Sequence, residues 1–534
     1  MGTFAHIIRS SRRLVPIALG ACIVGCSGSG GSNNPNAPAP ITPTVVASVP
    51  ANASTLVPNT TTISVNFDHA MNASTLTAAN FMLACPTGTA IPGSIAYDPG
   101  TQKATFTRAP ALPTTNLPQD LVVEPLPANV TCTATISTGV KDTTGVGLAS
   151  NFVWTFSTTA DLAFLEQGKQ IFRFDTFGDE TQWTDALHMD QVIGTAVDPT
   201  TALSVGLKVD VDALPPAVVQ GIVDGSISLT SPDTTVALIG LDAVVGVKGT
   251  VAKVNGKDTL TRVGITCALC HSTVDDSFTK GIGHRLDGWP NRDLNPGAII
   301  ALSPALSAAQ KAVYNSWGPG MYDPRFNIDG INGPQVISPA YGLRGIHRVI
   351  ATGDGDDLAY WNRYVGVTQM GGHGNFTDLR IGTTGVNITN GSDDQITAKL
   401  PALQEYQLSI AAPPAPIGSF DSAAAARGKV LFDGAAGCSV CHSGPEFTDA
   451  NLRLHAPSEV VSEPEPAGVP SYASRTATKM YRTAPLKGVW QHPPYFHNGT
   501  AATLQDVVNT YNTRKSLGLT PTDVEDVAQY LKSL

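Results

Sequence analysis

The chain has 534 residues, 42% hydrophobic and 14% charged, with 51 Gly and 39 Pro, a globular and turn-rich composition that excludes a disordered or fibrous protein. That length exceeds what one hydrophobic core usually fills, so about three units are expected. The formal charge is −10, from 33 basic and 43 acidic side chains, and no run of Lys or Arg forms a nucleic-acid footprint, which leaves nucleic acid out as a partner.

Residues 1–26 read as a secretory signal, because Arg9, Arg12 and Arg13 precede an apolar run from Leu14 to Val24 that is too short to span a bilayer. Ile23-Val24-Gly25-Cys26 resembles the bacterial lipobox, in which cleavage precedes a cysteine that takes lipid. Cys26 is therefore the expected lipidation site, with Cys22 in a stretch that fits nearly as well. Residues 27–43, rich in Gly, Ser, Asn and Pro, follow as a flexible tether. The expected place is the bacterial envelope: exported to the periplasm and attached to the outer membrane through lipid alone. An ordinary cleaved signal would instead leave a soluble periplasmic protein.

Residues 44–158 alternate in the manner of half-buried strands, as in Thr62-Ile63-Ser64-Val65-Asn66-Phe67 and Phe152-Val153-Trp154-Thr155-Phe156. Several such strands separated by turn signals predict a β-sandwich. With Asp68-His69-Ala70-Met71, the segment resembles bacterial Ig-like domains of the surface-layer type, which are spacers or adhesion units. His69 and Met71 read as a loop histidine and a core methionine. Of the eight cysteines, two lie in the signal and four in two CxxCH motifs, so Cys85 and Cys132 remain as a disulfide pair in an oxidising compartment.

At Asp161 the period becomes helical, with Leu162, Phe164, Leu165 and Ile171 on one face, and a second unit is expected over 161–410. Gln167-Gly168-Lys169-Gln170-Ile171-Phe172 looks like the first helix of a cytochrome c module, yet its CxxCH arrives only at Cys267, after an insert over 173–262. Asn255-Gly256 predicts a hairpin turn between strands near 244–253 and 258–265. The Pro-rich stretch 411–416 leads to a third unit over 417–534, with helices expected at 422–432, 503–512 and 521–532, the last opened by a capping box of Thr522 and Glu525. The expected fold is thus multidomain, an Ig-like β-sandwich followed by two mainly α-helical cytochrome c modules.

The chemistry is concentrated in Cys267-Ala268-Leu269-Cys270-His271 and Cys438-Ser439-Val440-Cys441-His442. In each, two thiols can form thioethers with haem vinyl groups while the histidine becomes the proximal iron ligand. One CxxCH could be half a zinc site or a redox pair, but two in an exported chain with no further CxxC predict two covalently bound haem c groups.

Met480-Tyr481-Arg482-Thr483-Ala484-Pro485-Leu486-Lys487-Gly488-Val489, then Pro494-Tyr495-Phe496-His497-Asn498-Gly499 and Thr503-Leu504, resembles the C-terminal signature of the di-haem cytochrome c peroxidase and MauG family. The resemblance covers about residues 161–172 and 262–534. It implies a hydrogen peroxide reductase with one peroxidatic and one electron-transfer haem, supplied by a small cytochrome c or a cupredoxin. It implies Met480 as distal ligand opposite His442, with Tyr481 as a MauG-like alternative. It implies His284, in an Ile-Gly-His setting, as the ligand that leaves the His271 haem on activation. Gln369 echoes the family's distal glutamine, and His373 would replace its missing acid/base. Trp317 and Trp361 are candidates for the inter-haem tryptophan, and Asn291 for a ligand of one calcium ion. Two other readings remain: a non-catalytic electron carrier, and a di-haem oxygenase or MauG-like modifying enzyme.

Overall fold

The computed structural model describes residues 41–109, 125–355, 357–389, 392–462 and 470–534, and residues from Pro43 to Leu534 form one compact unit. The expected signal, Cys26 and all but the end of the tether lie outside the described residues. No helix among the described residues is long and apolar enough to cross a membrane.

The N-terminal part is a sandwich of two sheets. Strands β1 (Val45–Val49), β3 (Ile63–Phe67), β7 (Lys103–Arg108) and β6 (Gly93–Asp98) pair in that order, all antiparallel. The second sheet runs β2 (Ser54–Pro58), β9 (Phe152–Thr159), β8 (Thr131–Ile136), β4 (Phe81–Ala84) and β5 (Ala90–Ile91), with only the β2–β9 pair parallel. On β9 the alternation puts Trp154, Phe156 and Thr158 inside, as the period of two requires. Trp154 and Phe106 both pack on Phe81, at ring-centroid distances of 6.0 and 5.6 Å. Cys85 and Cys132 are joined by a disulfide across this core, with Cα atoms 4.3 Å apart. Met71 is buried in the same core and His69 pairs with Asp68, in keeping with structural roles for both.

Beyond the sandwich, one arrangement occurs twice. The helix Leu162–Phe174 crosses the helix Leu400–Ser409 at Gly168, where an added Cβ would stand 2.0 Å from the Ala402 carbonyl oxygen. The helix Ser422–Asp433 crosses the helix Pro521–Lys532 at Gly428, where the same atom would meet the Asp526 carbonyl at 1.9 Å. Glycine at each crossing lets two backbones touch. Four residues later a fully buried phenylalanine packs on a tyrosine of the partner helix: Phe172 on Tyr406 at 5.6 Å, Phe432 on Tyr530 at 5.2 Å. The Gly-Lys-x-(Ile/Leu)-Phe segments of the two units therefore occupy equivalent places.

The expected hairpin is present as strands Val247–Val254 and Lys257–Ile265, with Asn255 and Gly256 both at positive φ. That is what a two-residue turn matching the strand twist requires. The last helix spans Pro521–Lys532 as expected, but Thr520 and Asp523 form its capping box, not Thr522 and Glu525, because Pro521 occupies the first helical position. The preceding helix, Leu504–Lys515, has its own box of Thr503 and Asp506.

Candidate haem site

The hairpin ends at Ile265, and the next residues are fixed before the first cysteine is reached. Thr266 Oγ1 donates to the Arg173 carbonyl at 3.0 Å and its N–H to the Gly246 carbonyl at 3.0 Å. Gly246, at φ +76°, lies so close beneath the motif that a Cβ would stand 2.1 Å from the Leu269 nitrogen. One short helix, Ala268–His271, then carries Cys270 and His271.

His271 Nδ1 lies 3.0 Å from the Ser338 carbonyl oxygen. A carbonyl can only accept, so Nδ1 carries the proton and the lone pair resides on Nε2, the tautomer a metal ligand needs. His442 has the same device: its Nδ1 lies 3.1 Å from the Phe447 carbonyl. Burial pushes the His271 pKa down to about 4 and lowers that of His442, so both imidazoles are neutral at physiological pH. Cys267, Cys270, Cys438 and Cys441 are all free of disulfides. Burial pushes the thiols of Cys267 and Cys270 up to about 12 and that of Cys438 up to about 11, which keeps them protonated. Paired free thiols beside a neutral, oriented imidazole fit covalent attachment of haem c.

A cavity of about 600 Å³ opens beside His271 and is walled by Cys267, Cys270, Tyr322, Trp361, Gln369 and Arg482 among others. Gln369 is held there on both sides of its amide: Tyr322 O–H donates to Oε1 at 2.9 Å, and Nε2 donates to Thr368 Oγ1 at 2.8 Å. Trp361 also faces the cavity, stacked on Tyr364 at 4.9 Å. His497 lines it too, with Nδ1 3.2 Å from Ser462 Oγ and Tyr481 in ring contact at 4.9 Å.

Other expected site residues stand elsewhere. His284 is exposed, lies outside the cavity lining, and pairs through Nδ1 with Asp212 at 3.0 Å, which raises its pKa. A short strand pairing with Val209–Asp210 holds the Ile282–Gly283 segment there, and His284 stands in a surface ion pair. His373 is likewise no cavity residue: its ring bridges Asp393 at 2.6 Å and Thr181, at the start of the helical segment Thr181–Ala186, at 3.2 Å. Asn291 is buried with its amide spent on main chain, donating to the Gly206 carbonyl at 2.9 Å and accepting from Leu294 N–H at 3.2 Å. Trp317 donates its indole N–H to Asn332 at 2.9 Å within an aromatic cluster with Tyr314, Tyr322 and Phe326, outside the cavity lining. Met480 is half-buried, its N–H donating to Thr478 Oγ1 at 3.2 Å.

Near the second motif, Cys441, Asp449 and His455 have ligand atoms within 4.8 Å of one another, the one such group among the described residues. Asp449 is already engaged by Arg453 at 2.7 Å and His455 at 3.2 Å, and Arg453 also reaches the Cys441 sulfur at 3.3 Å. His455 accepts or donates to Thr483 at 3.0 Å, while its backbone pairs with that of Tyr481. The group is thus an ion-pair network bracing the second CxxCH. Tyr322 and His455 carry no signal in their local pattern, while Arg482 and His497 stand in the C-terminal signature, which does not tell which cavity they wall.

Residues 39–158 match the family model described as a bacterial Ig-like domain, and residues 480–517 match one described as RoxA-like, cytochrome c-like. The chain joins an Ig-like domain to a segment similar to the cytochrome c peroxidases. Cytochrome-c peroxidase IdrP1 of Denitromonas iodatirespirans is 31% identical over 152 residues, covering 21% of this chain and 40% of the relative. Cytochrome c551 peroxidase of Pseudomonas aeruginosa is 29% identical over 150 residues, covering 25% of this chain and 42% of the relative. The match thus spans about two fifths of these relatives' length. Among solved structures, a MauG-like protein associated with microbial copper homeostasis aligns at 20% identity and a TM-score of 0.20, over 26% of this chain and 56% of its own.

Proposed function

We propose that this chain is an exported, lipid-anchored c-type cytochrome with two covalently bound haems that reduces hydrogen peroxide to water. The observation that carries the reading is the shared device at the two motifs: each CxxCH histidine is tied through Nδ1 to a main-chain carbonyl, His271 to Ser338 and His442 to Phe447. This leaves Nε2 of each available as a proximal ligand. The thiols of Cys267 and Cys270, and of Cys438 and Cys441, would hold the two porphyrins, which supply redox-active iron when bound.

The two sites would divide the work. The His271 site, which has the cavity, would take the peroxide, while His442 and Met480 would hold the haem that receives electrons from a small cytochrome c or cupredoxin. In the cavity, Gln369 is oriented by Tyr322 and Thr368 so that its amide can hold a peroxide by hydrogen bonds. Moving a proton from one peroxide oxygen to the other needs an acid/base. With His373 and His284 outside the cavity, His497 takes that role from the cavity wall.

The test is a haem count followed by turnover. Pyridine haemochrome analysis of the matured protein should give two haems per chain, and Cys267→Ala with Cys270→Ala should leave one. Peroxide consumption with a reduced cytochrome donor should follow, before or after pre-reduction. Two haems without peroxide turnover would favour the second reading, an oxygenase or MauG-like modifying enzyme.

A further inference from the structure

We propose that Arg482 is the counter-charge for a propionate carboxylate of the haem held at His271, binding that haem to the segment that carries Met480. The proposal rests on a haem being attached there, as argued above. The buried arginines near this region come with acids: Arg325 with Asp354, Arg475 with Asp323 and Asp329, Arg285 with Asp210. Arg482 lines the cavity beside His271 and has no carboxylate partner among the described residues. Its Nη1 donates to the Arg348 carbonyl at 2.8 Å, its main-chain N–H to the Ala351 carbonyl at 2.9 Å, and its enclosed Nε has no acceptor.

A guanidinium whose enclosed Nε goes without an acceptor is costly unless an anion meets it. Haem brings two carboxylates into its pocket, and a guanidinium fork matches a carboxylate better than any other side chain does. Arg292 is also without an acid, its Nε and Nη1 unpaired, but it lies outside the lining of this cavity. The position of Arg482 in sequence adds a consequence. It stands two residues after Met480 while its side chain walls the other site, so one short segment would touch both haems.

A cation beside a propionate favours ferrous over ferric iron, because the ferric site carries one more positive charge. Two variants separate charge from scaffolding. Arg482→Gln keeps an N–H for the Arg348 carbonyl but removes the charge; Arg482→Lys keeps the charge. Full-length variants are first checked for haem content, and two haems per chain establish the reading on which this rests. Spectroelectrochemical titration should then show the potential of the His271 haem lowered in Arg482→Gln, largely restored in Arg482→Lys, and that of the His442 haem moved less. With two haems present, an unchanged potential in Arg482→Gln, or equal shifts in both variants, overturns the proposal. Fewer than two haems in the unaltered chain overturns the underlying reading instead.

Discussion

Gly428 lies directly against the main-chain carbonyl of Asp526, so that a Cβ on the glycine would stand 1.9 Å from that oxygen. The neighbour is backbone of a packed helix and cannot step aside as a side-chain tip could. In an isolated helix Gly→Ala gains roughly 1 kcal/mol. Here the clash decides the sign, and Gly428→Ala should destabilise by about 1–3 kcal/mol, the usual cost of overpacking. Chemical denaturation of the two proteins checks this, and a stabilised variant would show that the helices separate easily.

Removing the disulfide should weaken the sandwich. Cys85 and Cys132 close a loop across 47 positions, and losing such a link costs about 2–4 kcal/mol. A Cys85→Ala, Cys132→Ala protein should melt at lower temperature, while its haem content stays unchanged, since the sandwich core contains no residue of either CxxCH.

The buried Asp179 predicts a pH dependence. Its carboxylate oxygens accept from Ile265 N–H at 3.2–3.3 Å, but burial dominates and raises its pKa to about 9. The folded protein therefore holds a proton that the unfolded chain releases near the ordinary aspartate value of 3.8. Stability from this group is full below that value and declines as pH rises toward 9. Asp179→Asn keeps an acceptor for Ile265 and should flatten that decline, gaining on the order of 1–3 kcal/mol at pH 8. Melting curves from pH 5 to 9 that remain parallel for both proteins would remove the effect.

Gln369 and Tyr322 should act together in turnover. Gln369→Ala is expected to lower peroxide reduction by about 10²–10³-fold, the usual loss for an oriented hydrogen-bond donor in a closed site. Tyr322→Phe leaves Oε1 without its donor at 2.9 Å and should cost less, by freeing the amide to rotate. Steady-state kinetics of both variants with haem content held equal provides the measurement, and wild-type rates in Gln369→Ala would take the cavity amide out of the mechanism.

Local pattern made much of this legible. Alternation disclosed strands such as Phe152–Thr159, and Asn255-Gly256 marked the hairpin, since period and turn conformation are properties of a few consecutive residues. The partners of the distal candidates lie far off in the chain. His284 has the right neighbours in sequence, yet Asp212 holds its ring 72 positions away in the chain and at the surface. His373 is similarly engaged by Asp393 and Thr181.

By itself the sequence determined which atoms can be joined covalently to a cofactor, because a CxxCH keeps its thiols and imidazole together on one short turn wherever the chain goes. It likewise determined the two glycine-bearing helices and the cysteine pair left over for a disulfide. Only the tertiary structure decided what faces His271 across the cavity. His497 and Arg482 lie roughly two hundred residues from that histidine, and packing between separate segments has no signature in the spacing of neighbours along the chain.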